Sequence, residues 1–123
     1  MKLKALLLTL LLLNFNTHSA CSDQDKTTIS ISECYMEEYD VEGKKLEKTL
    51  TQSYNTSGEI ANEIRQSQKA WIKYRDTQCK AVYASYGRGT MRSIAYPSCM
   101  VELTRQRQKE LYKNFVKSLS MAD

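Results

Sequence analysis

The chain has 123 residues, with 18 Lys and Arg against 14 Asp and Glu, a formal net charge of +4. That balance is too even for nucleic-acid binding, and no basic block carries interleaved aromatics. One Pro and four Gly beside abundant Lys, Glu and Gln favour helix over sheet.

Lys2 and Lys4 precede a Leu-rich run from Ala5 to Leu13, after which Asn14 to Ala20 turn small and polar. This is the order of regions in a secretory signal. The run is about half of the roughly 20 residues a bilayer span requires. The sequence therefore predicts a cleaved signal over 1–20 and one domain over 21–123, periplasmic or secreted, with no transmembrane segment after processing. A lipoprotein anchored through Cys21 is the less favoured alternative, because His18 stands where a lipidation signal places Leu. Removing Lys2 and Lys4 takes the 18 basic residues to 16 against 14 acids, a net +2. About 100 residues remain, enough for one domain with a modest core.

The single histidine, His18, leaves with the signal. Without it there is no Ser–His or Cys–His nucleophile and no Cys–His zinc site. The sequence thus predicts a protein that is not an enzyme, with no catalytic, cofactor-binding or metal-ligating residues and no cofactor. Cys21, Cys34, Cys79 and Cys99 form an even set, which in an exported chain reads as two disulfides. Short local loops favour Cys21–Cys34 with Cys79–Cys99. The alternative, Cys34–Cys79 with Cys21–Cys99, would tie the start of one helix to the end of its neighbour.

A first helix is predicted from a capping box at Ser30–Glu33 to about Tyr54, with Tyr35, Tyr39, Leu46, Leu50 and Tyr54 on one face. Gly43 within it suggests a bend or a close packing contact. Asn55 to Gly58 break the pattern, with a second capping box at Thr56 and Glu59. Helix two should run from about Gly58 to Tyr83, with a stripe of Ile60, Ile64, Ser67, Trp71, Arg75, Cys79 and Val82. Ala84 to Tyr96 read as a loop. Pro97 suits the first turn of a third helix that ends near Leu119, with Met100, Leu103, Arg107, Leu111, Phe115 and Leu119 as its stripe. The expected fold is all-α: an antiparallel three-helix arrangement stapled by two disulfides.

Two arginines, Arg75 and Arg107, occupy seam positions. A charge on a buried face must be paired, so both are expected in ion pairs that fix helix register. Glu38 and Glu42 on helix one and Asp76 beside Arg75 are the available partners. Trp71 is expected to pack in the core. The loop gathers Tyr83, Tyr86, Arg88, Arg92 and Tyr96 around Gly87 and Gly89, and Tyr and Arg dominate binding hot spots. These five are the candidate partner-binding residues, preorganised by a nearby disulfide.

The segment Lys-Ala-Trp-Ile-Lys-Tyr-Arg-Asp-Thr-Gln-Cys (69–79) resembles the central signature of the LprI-like lysozyme-inhibitor family of small exported bacterial proteins. The likeness continues through the Gly-rich loop to Cys99, Leu-Thr-Arg-Gln-Arg (103–107) and Glu110-Leu111, and the early Cys21 and Cys34 fit. It marks Trp71, Arg75, Asp76, Thr104 and Arg107 as a structural signature. Helix one departs from the family pattern at Gly43, Leu46, Glu47 and Leu50. The resemblance implies an exported helical protein with a protein partner: a lysozyme or another envelope enzyme, or a toxin if the chain is an immunity protein. A structural envelope protein with no target enzyme is a third possibility. Lysozymes of the common animal type are strongly cationic, and a net +2 gives no global steering toward them. Inhibition of such a target would need a local acidic patch, such as Glu37, Glu38, Asp40 and Glu42.

Overall fold

Thr27 starts the first helix. In the computed structural model, which describes Cys21 and residues 27–117, its Oγ1 accepts from the backbone N–H of Ser30 at 3.2 Å, while Ser30 Oγ donates to the Thr27 carbonyl at 2.9 Å. The cap thus lies three residues before the expected one, and Ser30 answers it where Glu33 was expected to reach back. From there α1 (Thr28–Thr56) runs unbroken through Gly43, where an added Cβ would meet nothing within 4 Å. No close packing contact explains that glycine. The second expected capping box does not form either, because Thr56 Oγ1 donates back to the Gln52 carbonyl. A 3-10 turn (Gly58–Ile60) leads into α2 (Ala61–Ser85), and Ser57 Oγ donates to the Phe115 carbonyl at 3.1 Å, closing the corner. The expected signal at 1–20 and the stripe residue Leu119 lie outside the described residues.

The third helix begins earlier than the sequence suggested. α3 spans Arg92–Leu111 and continues as a π-helical turn over Tyr112–Lys117. The link from α2 is therefore the six residues 86–91, not 84–96, and Pro97 sits inside the helix, where it is buried. An internal Pro removes the N–H that would bond the carbonyl four residues earlier. That carbonyl belongs to Ser93, and Ser32 of α1 donates its hydroxyl to it at 2.8 Å. A contact 61 residues away in sequence satisfies what the proline leaves open, so the helix tolerates it.

α1 and α3 run parallel, joined near their starts by Ser32–Ser93 and near their ends by Ser57–Phe115. α2 runs antiparallel to both. α3 packs along both other helices, whereas α1 and α2 touch each other sparsely. The core is small: Leu46, Ile64 and Leu111, flanked by Leu50, Tyr54, Trp71 and Phe115. Much of the buried face of α1 is polar, with Glu42, Thr49 and Ser53 alongside Leu46. The hydroxyls satisfy themselves on the preceding turn: Thr49 Oγ1 donates to the Lys45 carbonyl at 3.0 Å and Ser53 Oγ to the Thr49 carbonyl at 2.8 Å. Thr104 does the same toward Met100 at 2.7 Å. On α2, Ile64, Gln68 and Cys79 are buried, while the expected stripe members Ile60 and Ser67 are exposed.

Two disulfides, Cys21–Cys34 and Cys79–Cys99, each with Cα atoms 5.6 Å apart, staple this three-helix all-α fold. They are the two local pairings. The Cys21 sulfur is bonded to Cys34. Among the described residues no helix is long and apolar enough to cross a membrane.

Ser32→Ala should lower stability by about 1 kcal/mol, or roughly 4–8 °C in thermal denaturation for a domain of this size. In a Pro97→Ala background the restored amide can serve Ser93, so the same substitution should cost less than half as much. Equal costs in both backgrounds would show that Ser32 does not compensate for the proline.

Candidate functional site

Two arginines of α3 stand two residues apart, which on a helix places their side chains about 200° apart around the axis. Arg105 reaches α1, forming ion pairs with Glu38 and with Glu42 at 3.3 Å, and Lys45 adds a second cation to Glu42 at 3.0 Å. Burial disfavours the Arg105 cation, but the hydrogen bond and charge of Glu38, followed by the charge of Glu42, outweigh it and hold the guanidinium above its ordinary value. Arg107 reaches α2. It donates from Nε to Gln68 Oε1 at 3.0 Å and from Nη2 to Ser67 Oγ at 2.8 Å, with Glu110 a longer 3.6 Å away. Burial lowers its pKa, against the opposing charge of Glu110.

Arg75 of α2 donates from Nε and Nη2 to one oxygen, Asp76 Oδ1, at 2.9 and 2.8 Å. Its guanidinium lies 5.5 Å from the ring centre of Tyr39 and 5.1 Å from that of Trp71. Arg107 approaches the same indole at 5.9 Å. Tyr39, Arg75, Trp71 and Arg107 thus form one aromatic–guanidinium chain across all three helices. Of the residues marked as a structural signature, Thr104 is fully buried beside this chain's helix, and Trp71 packs against the core. Arg75 pairs with Asp76, one of its expected partners. The other two, Glu38 and Glu42, are taken by Arg105, a residue off the hydrophobic stripe that periodicity did not single out. The signal that could have found it is the i, i+4 spacing of Glu38 and Glu42, which presents two carboxylates on one helix face. With both engaged, Glu37 and Asp40 are the exposed remainder of the proposed acidic patch.

Where α1 and α2 splay, a groove of about 250 Å³ opens over Tyr39, Leu46, Trp71, Ile72 and Arg75. Gly43, Glu47 and Leu50, where helix one departs from the family pattern, also line it.

The candidate partner-binding residues lie at the other feature, the α2–α3 end. Tyr83 and Tyr96 meet edge to face with ring centres 6.3 Å apart, and the Arg92 guanidinium lies 5.1 Å from the Tyr83 ring centre. Arg92 Nη1 donates to the Gly87 carbonyl at 3.2 Å, fastening the turn. Gly87 has φ +57°, a left-handed conformation that suits glycine, and the Gly89 N–H donates to the Tyr86 carbonyl at 3.1 Å. A Cβ on Gly89 would stand 3.2 Å from that same carbonyl oxygen. Tyr83, Tyr96 and Lys80 line a cavity of about 270 Å³. Tyr83, Arg92 and Tyr96 are therefore brought together. Tyr86 and Arg88 stand apart from them, exposed on the turn, and among the described residues Arg88 makes no hydrogen bond or ion pair.

The three arginines of the scaffold should differ in what their removal leaves behind. Arg105→Ala strands Glu38, whose side chain is 17 % exposed, and leaves Glu42, 8 % exposed, with Lys45 alone, at about 2–3 kcal/mol. Arg107→Ala leaves the buried Gln68 amide without its donor, at about 2 kcal/mol. Arg75→Ala leaves Asp76, 43 % exposed and open to water, so its loss is chiefly the two ring contacts, about 1 kcal/mol. Thermal denaturation of the three variants checks the order, and an Arg75→Ala chain melting below Arg105→Ala would contradict it.

The model of the family described as Lysozyme inhibitor LprI matches residues 19–111. An uncharacterized protein of Rhizobium meliloti (strain 1021) is 40 % identical over 39 % of this chain, a match spanning 34 % of that relative's length. The uncharacterized protein YecT of Escherichia coli (strain K12) is 25 % identical over 76 % of this chain and 68 % of its own. No solved structure matches. With most of its length matched by the family model, the chain belongs to the LprI lysozyme inhibitor family.

Proposed function

We propose that this chain is an exported, non-enzymatic binding protein that blocks a cell-wall hydrolase, with the α2–α3 turn as its contact face. Membership of a family described as lysozyme inhibitors supports the target class. The observation that carries the contact face is the preorganised turn: exposed Tyr86 and Arg88 on a backbone held by Arg92, above the Cys79–Cys99 disulfide. A surface ordered before association loses less entropy on binding, so its contacts convert to affinity more fully. Tyr83, Arg92 and Tyr96 support the turn from below. Export rests on the Lys2–Ala20 signal pattern and on the two disulfides, which persist in oxidising compartments.

Two measurements test this. Purified protein should inhibit lysozyme-catalysed clearing of a cell-wall suspension with one-to-one stoichiometry, and Tyr86→Ala should weaken binding at least tenfold while leaving the melting temperature unchanged. No inhibition of any lysozyme type at micromolar protein would remove the hydrolase target. Protein recovered from the periplasm or medium should begin near Cys21, show no free thiol and carry no fatty acid. One labelled thiol per chain, or a lipid, would contradict the soluble exported form.

A further inference from the structure

The α2–α3 end is distinguished by the charges it lacks. From Thr77 to Val101 the chain holds no Asp or Glu, yet it holds Lys80, Arg88 and Arg92. This is the last third of α2, the turn and the first half of α3. Of the α1 carboxylates, Glu38 and Glu42 are consumed by Arg105, while exposed Glu33 and Glu37 stand on the first turns of α1, whose start meets that of α3 through Ser32 and Ser93. The cations at this end are not equivalent. Arg92 is spent inside the turn, on the Gly87 carbonyl and the Tyr83 ring. Arg88 is at the apex between Gly87 and Gly89, exposed and unengaged among the described residues.

We infer that this end docks into an acidic cleft, with Arg88 entering between the paired carboxylates of a glycan-cleaving hydrolase. The inference rests on the proposed hydrolase target and adds the chemistry of the contact. Glycosidases hold two carboxyl groups about 5–10 Å apart on either side of the scissile bond. Such a pair concentrates two carboxyl groups at one place in the cleft. A guanidinium offers five N–H donors in a planar fork that matches carboxylate geometry, which a lysine ammonium does not. Flanking glycines keep the apex narrow, and a turn of six residues between two disulfide-linked helices projects it without slack. Tyr86 and Met91, both about half exposed, supply the apolar and hydroxyl surface that walls such a cleft need. This arrangement places the attraction locally, between one arginine and the catalytic carboxylates, without an acidic patch on the inhibitor.

The test uses the full exported chain, a lysozyme of the animal type and an N-acetylglucosamine oligomer as the cleft-filling probe. Arg88→Glu should weaken inhibition at least a hundredfold and Arg88→Lys about tenfold. Lys48→Glu, the same charge change on the exposed outer side of α1, should stay within twofold of the parent. All three should keep the parental circular dichroism and melting temperature. The oligomer should displace the protein competitively. If Arg88→Glu inhibits like the parent, or if oligomer and inhibitor bind together, the cleft inference falls while the inhibitor function stands. If the parent binds no lysozyme at all, both fall.

Discussion

Everything in this fold is hung on one helix whose two arginines face opposite ways. α1 and α2 barely touch, so neither can position the other; each is registered against α3. Arg105 holds α1 through two carboxylates and Arg107 holds α2 through an amide, a hydroxyl and an indole. Apolar packing alone could not supply that registry. The core cluster is three buried residues, and such a small apolar interface is compatible with several axial shifts of one helix along another. An ion pair or a directional hydrogen bond is compatible with one. A shift of α1 by a single turn would withdraw Glu38 and Glu42 and leave Arg105 partly buried without a partner, which is the expensive outcome for a charge.

The same logic governs the polar residues of the interfaces. No buried side-chain polar atom lacks a partner among the described residues. Hydroxyls close on their own helix, and Ser32 bridges to the carbonyl that Pro97 frees. A chain of this size cannot offset many unsatisfied groups, because net stability is a small difference between large terms. The disulfides are themselves part of the buried interior, with Cys21 and Cys79 almost fully enclosed, as are Met100 and Val101. Cys79–Cys99 joins α2 to α3 beside the exposed turn, and Cys21–Cys34 fixes Cys21 against α1. They also stabilise the fold by limiting the unfolded ensemble.

How far the sequence disclosed this structure depended on whether a feature was local. Leu46, Ile64 and Leu111 each belong to a stripe at helical spacing on their own helix, and the three helices followed from that period. The short loops between Cys21 and Cys34 and between Cys79 and Cys99 favoured the pairing that the structure holds. The two capping boxes failed locally, and the other failures were long-range. Pro97 read as a helix start because its missing N–H is harmless only there, unless a distant donor serves Ser93, and no local pattern announces Ser32. Arg105 lay off the stripe and drew no notice, although it binds the two carboxylates that Arg75 and Arg107 were expected to claim. Arg75 and Arg107 were recognised as seam residues, and Arg75 pairs with Asp76 as expected, whereas Arg107 bonds the Ser67 hydroxyl and the Gln68 amide of α2 rather than an α1 carboxylate. Of the Tyr and Arg loop, the residue types were legible and their division of labour was not. Only the bond from Arg92 to Gly87 separates a residue that holds the turn from Arg88, which the turn presents.

That division ties scaffold to function. A protein with nearly balanced charge presents a sign only where one sign has been withdrawn or used up. Here the scaffold engages four of its acids internally: Glu38 and Glu42 on Arg105, Asp76 on Arg75, Glu110 toward Arg107. Each such pair is electrically quiet at a distance, since its two charges cancel within a few ångströms and salt screens the remainder. Between Thr77 and Val101 the chain carries no acid, so Arg88 has no carboxylate on its own segment, although exposed Glu33 and Glu37 lie on the first turns of α1, whose start meets that of α3. The turn holds Arg88 exposed at its apex, between Gly87 and Gly89. The ion pairs that set helix register engage Arg75, Arg105 and Arg107 and leave Arg88 and Lys80 as the exposed cations of this segment.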